Sequence, residues 1–140
     1  MNIEMEEQVQ FLFYQGREGT IKIQVIADAE RETIWATQAS MADIFNVEVN
    51  TINYHLKNIF SSGELDENSV IRKIRITAID GKTYNTNLYN LDAIISVGYR
   101  VNSTQATQFR IWATGVLKEY MIKGFALDDE RLKQGKEAFG

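Results

Sequence analysis

A chain of 140 residues, 44% of them hydrophobic, is long enough to bury one core without disulfides or a metal. It contains no cysteine, which excludes disulfides, thiolate zinc sites and cysteine nucleophiles, and no apolar run approaches the roughly 18 residues of a membrane span. The formal net charge of -4, taken alone, argues against a nucleic-acid partner, although the distribution of charge matters more than its sum.

In chain order, "MNIEMEEQ" is acidic and lacks both the basic flank and the apolar segment of a secretory signal, so a cytoplasmic protein is expected. "VQFLFYQ" (9–15) and "TIKIQVIAD" (20–28) are β-rich runs separated by "GREG", and the second alternates Ile21, Ile23 and Val25 with Lys22 and Gln24; together they predict a hairpin. A short strand around "TIWAT" leads to Thr37, an N-cap for a helix with Met41, Ile44 and Phe45 on one side. "FNVEVN" turns the chain, and Asn50 is placed to cap a second helix whose apolar stripe is Val49, Ile52, Leu56 and Ile59. "SSGELDEN" reads as a polar loop. The alternation of "VIRKIRITAIDGKTYNTNLYN", broken at Asp80-Gly81, predicts a second hairpin. Asn90 precedes the helix "LDAIISVGYRV", in which Gly98 costs about 1 kcal/mol relative to alanine unless something packs closely there. Asn102 and Gln105 approximate a capping box for a helix over about 103–123, with Phe109, Trp112, Ala113, Val116, Leu117 and Tyr120 facing the core and Phe109 and Trp112 mostly buried. Gly124 suits a left-handed C-cap, and a new helical pattern starts at Asp128 and breaks off, as in a truncated chain. The expected fold is α+β: two β-hairpins, a helix-turn-helix of winged-helix character and a C-terminal helical pair.

No set of groups for hydrolysis, phosphoryl transfer or redox chemistry is assembled, so no enzyme is expected, and no cofactor. The only histidine, His55, has no second histidine or cysteine to share a metal, and no metal site is expected. Neither "GREGT" nor "VGYR" has the spacing of a phosphate-binding loop. Asp128 and Asp129 lie in a solvated charge run where general acid-base work lacks the burial it needs.

The helix-turn-helix reading rests on several coincident demands. The apolar residues fall at core positions, Ala42 is small where the helices cross, and Asn46, at the turn, enters left-handed conformations readily. On a helical wheel the apolar stripe leaves Thr51, Tyr54 and Asn58 pointing away, flanked by Asn50, His55 and Lys57. Asparagine offers the paired donor and acceptor that match the major-groove edge of adenine, and tyrosine or threonine can hold a phosphate. One lysine on this helix is little charge for a DNA reader. Residues 68–123, however, carry eight bases against three acids, whereas residues 1–36 carry three against seven. The second hairpin contributes Arg72, Lys73, Arg75 and Lys82 to that basic half, as a wing carrying the phosphate contacts would. Because Arg72 and Lys73 are adjacent, a straight strand points them to opposite faces.

The segment "DGKTYNTNLYNLDAIISVGYRVNSTQATQFRIWATGVLKEYMIKGF" (80–125) resembles the RhuM family of bacterial virulence proteins, and the resemblance extends upstream through "IWATQASMADIFNVEVNTINYHLKNIF". Members of that family continue past residue 140, which the resemblance turns into an expectation of truncation; it implies no particular biochemical activity. "FRIWATGVLKEYMIKG" is also similar to the end of the Bro-N domain of phage antirepressors, with Phe109, Arg110, Trp112 and Gly124 in the recurring positions. That similarity implies a DNA-binding module of a mobile-element regulator. The resulting expectation is one RhuM/Bro-N-like domain over 1–127 and the start of a helical extension over 128–140. The domain is expected to bind double-stranded DNA through Asn50, Thr51, Tyr54, His55, Lys57, Asn58, Arg72, Lys73, Arg75 and Lys82, with a homodimer allowed. The alternative is a protein-interaction module, such as an antirepressor or toxin-antitoxin component, that contacts a protein partner and no DNA.

Overall fold

The computed structural model describes residues 2–4, 10–15, 22–77 and 81–136, and the side chains within 11–15, 22–75 and 81–119. The fold is α+β. One antiparallel sheet has the order β2 (Gln10–Gln15), β3 (Lys22–Asp28), β4 (Thr33–Trp35); the other joins β1 (Asn2–Glu4), β5 (Ile71–Thr77) and β6 (Thr83–Tyr89) in that order. Backbone hydrogen bonds in both directions between Ala36 and Tyr89, at 3.0 and 2.9 Å, stitch the two sheets together. β1 belongs to the second sheet through the pairs Asn2 with Thr77, Ile3 with Ile76 and Glu4 with Arg75, a third strand that the sequence did not predict.

β3 begins as its alternation predicts, with Ile23 and Val25 buried and Lys22 and Gln24 exposed. From Val25 to Asp28 every residue is buried. The reason is a second layer: Ile26 and Trp35 meet Ile74 and Leu88 of the β5–β6 hairpin in a small apolar cluster, so this end of the sheet is covered on both faces. The Ile21 position and the "GREG" turn lie outside the described residues.

The main core packs α1 (Gln38–Phe45), α2 (Val49–Ser61), α4 (Leu91–Val101) and α5 (Ser103–Lys136) around Met41, Phe45, Ile52, Leu56, Ile94, Val97 and Phe109. Thr37 caps α1, its Oγ1 accepting from the Ser40 N–H at 3.0 Å. Asn46 ends the helix at φ 56°, ψ 51°, the left-handed conformation asparagine tolerates. α2 starts two residues earlier than Asn50 would set it: Glu48 is the N-cap residue, makes no side-chain cap bond, and leaves Asn50 inside the first turn. Val49 is 44% exposed because this first turn projects beyond the core, so the buried stripe is Ile52, Leu56 and Ile59 alone. The polar loop contains a one-turn helix, α3 (Glu67–Val70), nucleated by the Asp66 carboxylate accepting from Asn68 N–H.

Asn90 and Asn102 cap α4 and α5 through their side-chain oxygens, which accept from Ala93 N–H and Gln105 N–H. Gly98 sits where a Cβ would come within 2.6 Å of the Phe45 ring and 2.8 Å of Ala106 Cβ, the close approach that justifies its cost. Phe109 is fully buried, and Tyr14 presses its ring edge-on against both Phe109 and Trp112, with centroids 4.9 Å apart in each case. Trp112 is mostly buried as expected, packed against the core from the rim of the apolar stripe three residues past Phe109. The backbone of α5 runs through Gly124 to Lys136 without the predicted stop. A helix interior tolerates one glycine at about 1 kcal/mol, and the chain has no proline to end it. The expected contact of Tyr120 falls outside the described side chains. Among the described residues no helix is long and apolar enough to cross a membrane.

Candidate nucleic-acid interface

The outward face of α2 is built by subtraction. With Ile52, Leu56 and Ile59 in the core, the opposite side presents Asn50, Tyr54 and Lys57 to solvent, Tyr54 with 63% of its surface free. Thr51 and Asn58 lie half-buried at one flank. His55 turns further inward: its Nδ1 is buried without a hydrogen-bond partner among the described residues, and its ring stands edge-on to Tyr54 at 5.2 Å.

The hairpin cations divide between two faces, as strand alternation requires. Ile74 is buried in the small cluster, and Arg72, two residues before it, shares that inner face. There Arg72 Nη1 lies 3.8 Å from Asp28 Oδ2, and its side chain is 22% exposed. Asp28 is fully buried and also accepts from Arg31 N–H, Arg31 Nη1 and Trp35 Nε1, each at 3.1 Å. A carboxylate held away from water needs such partners. Arg72 is therefore committed to joining the hairpin to β3, which corrects the expectation that it faces a phosphate.

Lys73 and Arg75 share the other, exposed face. Their register partners on β6 are Asn87 and Asn85, both exposed, so two cation-asparagine rungs stand side by side on the outer surface. Lys82 is exposed beside Gly81, which turns the chain at φ 85°; Asp80 lies outside the described residues. Asn85 and Asn87 escaped the sequence reading because a two-residue loop at Asp80-Gly81 would shift the register by one and turn them to the opposite face relative to Lys73 and Arg75.

What connects helix and hairpin is Gln38. Its Nε2 donates to the Tyr89 hydroxyl at 2.9 Å and reaches Asn53 Oδ1 on α2 at 3.5 Å. Tyr89 pairs with Ile71 and so lies on the strand face that continues to Lys73 and Arg75. Asn53 is a third residue the sequence reading missed, since its side chain is defined by this tertiary contact. On the far side of the molecule Arg110 hydrogen-bonds the Tyr99 phenol and, with Thr107, holds it below its ordinary pKa. Arg110 thus joins α5 to Tyr99 of α4, while Phe109 and Trp112 pack against Tyr14 of β2.

These elements define a small α+β protein in which a solvent-facing helix and a cationic hairpin are tied through one glutamine. The chain belongs to the RhuM virulence protein family: the family's model matches residues 69–140, from α3 through the hairpin and α4 into α5. Neither the curated proteins nor the solved structures contain a match to this chain.

Proposed function

We propose that the domain binds double-stranded DNA as a winged helix-turn-helix, with α2 against base edges and the β5–β6 hairpin as the wing on phosphates. The observation that carries this reading is the Gln38 bridge from Asn53 to Tyr89, which supports a fixed relation between α2 and the strand face bearing Lys73 and Arg75. Asn50, Tyr54 and Lys57 are the central contacts, with Thr51 and Asn58 at the flank. Lys73, Arg75 and Lys82 supply the electrostatic term, while His55 and Arg72 act from behind the surface. The exposed Asn50 matches adenine chemically, and a helix with one lysine beside a more highly charged wing separates specificity from affinity. In this reading the protein is a cytoplasmic regulator of a mobile element or pathogenicity island and has no catalytic role, consistent with its similarity to Bro-N domains.

A second reading, a protein-interaction module of the antirepressor or toxin-antitoxin kind, is favoured by the exposed Tyr54 ring and the net charge of -4. Fluorescence anisotropy across a salt series, with a selected site and a random duplex, separates the two. Lys73→Ala and Arg75→Ala should each weaken binding to both duplexes alike and reduce the salt slope by about 0.9. Asn50→Ala should cost roughly 1–3 kcal/mol on the selected site and leave random-duplex binding nearly unchanged. No salt-dependent binding by the wild-type domain at low ionic strength would sink the DNA reading, and Tyr54→Ala then becomes the first probe in protein pull-downs.

A further inference from the structure

Between the two sheets lies a cavity of about 160 Å³, walled by Phe11 of β2, Ile26 of β3, Trp35 of β4, and Ile74 and Leu88 of the hairpin. No charged side chain is among its described lining residues. The Trp35 ring lines it while its Nε1 is already committed to Asp28, so the ring presents an apolar wall. Ser40 also borders it, but its hydroxyl donates to the Gln24 carbonyl at 2.9 Å. Gln24, exposed, also borders it. Phe11, 42% exposed, forms the lip.

We infer that this cavity is a binding site for a small, neutral, aromatic molecule carrying one hydrogen-bonding group. Size decides first: apolar cavities near 150 Å³ admit benzene, whereas drug-sized ligands and nucleotides need roughly 300 Å³ or more. Charge decides second, because an ion here would lose its water and gain no counter-charge from the described lining residues. Ring chemistry decides third, since Trp35 and Phe11 offer faces and edges for offset or edge-on stacking, and the Gln24 amide can donate to or accept from a single polar group at the mouth. The walls come from both sheets, so an occupant fastens the hairpin to β3 and β4. This site stands whether or not α2 meets DNA, and it is tested without DNA.

The experiment is a titration of the full chain with indole, followed by methyl-resolved NMR. Saturable shifts should appear at Ile26, Ile74 and Leu88, and benzoate, which is of similar size but anionic, should produce none. Ile74→Phe, which fills the cavity, should abolish the indole response. Phe11→Ala removes a wall at a position that is 42% exposed, and should weaken indole binding by roughly tenfold. The absence of saturable indole shifts up to its solubility would overturn the inference; so would benzoate shifting the same methyls, or an indole response unchanged in folded Phe11→Ala.

Discussion

Asp28 is buried in an otherwise apolar region and satisfied from three directions, by Arg31, Trp35 and Arg72. Removing it takes the acceptor from the buried Trp35 Nε1–H and a carboxylate from beside Arg31 and Arg72, and the loss of this buried network is the larger part of the expected cost. Asp28→Ala should therefore destabilise the protein by about 3–5 kcal/mol, while Lys73→Ala, one position from Arg72 but on the solvent side, should stay within about 0.5 kcal/mol. Urea denaturation of both variants measures the difference; equal effects would show that the two cations are not on opposite faces. The sequence showed that Arg72 and Lys73 must diverge, since alternation is local. It did not show which of them goes inward, because that is decided by a carboxylate 44 positions earlier in the chain brought close only by the packing of two sheets. Caps were legible for the opposite reason. Thr37, Asn90 and Asn102 each bond an amide three residues away, and that information lies entirely within one turn of chain.

Among the elements, α4 meets α1 and α5 at Gly98, where a Cβ would run into Phe45 and Ala106. An alanine there would gain about 1 kcal/mol of helix propensity, yet its methyl would lie within 2.8 Å of both the Phe45 ring and Ala106 Cβ. Overpacking of this kind costs about 1–3 kcal/mol, so Gly98→Ala should lower the melting temperature despite the better helix former. Phe45→Leu, by trimming the ring, should reduce that penalty in the double variant, read by thermal denaturation monitored by circular dichroism. The helices themselves were readable from their apolar stripes. Their ends were less so: α2 starts from Glu48 with no side-chain cap, and α5 passes through Gly124 although a glycine there reads as a stop. The hairpin shows the same limit, since both strands were evident while the register, and with it the outward placement of Asn85 and Asn87, depended on loop geometry around Gly81.

At the scale of the whole molecule, the acidic beginning of the chain returns to the basic hairpin: Glu4 is the register partner of Arg75 on the edge strand of that sheet. No local pattern announces such a pairing, because β1 is three residues long and its partner lies beyond α3. β1 is held to β5 by three rungs, whereas β5 and β6 share seven. Amides of β1 should therefore exchange with deuterium well before those of the β5–β6 ladder; protection equal to that of the hairpin would show that β1 is anchored by more than its three rungs. When β1 leaves, β5 becomes an open edge, and its free backbone groups accept a strand from any chain in reach. A neighbouring molecule carries an identical β1, so the pairing that completes the sheet within one molecule is equally a means of exchanging strands between two, and size-exclusion chromatography of concentrated protein tests for the reciprocally swapped dimer this would form.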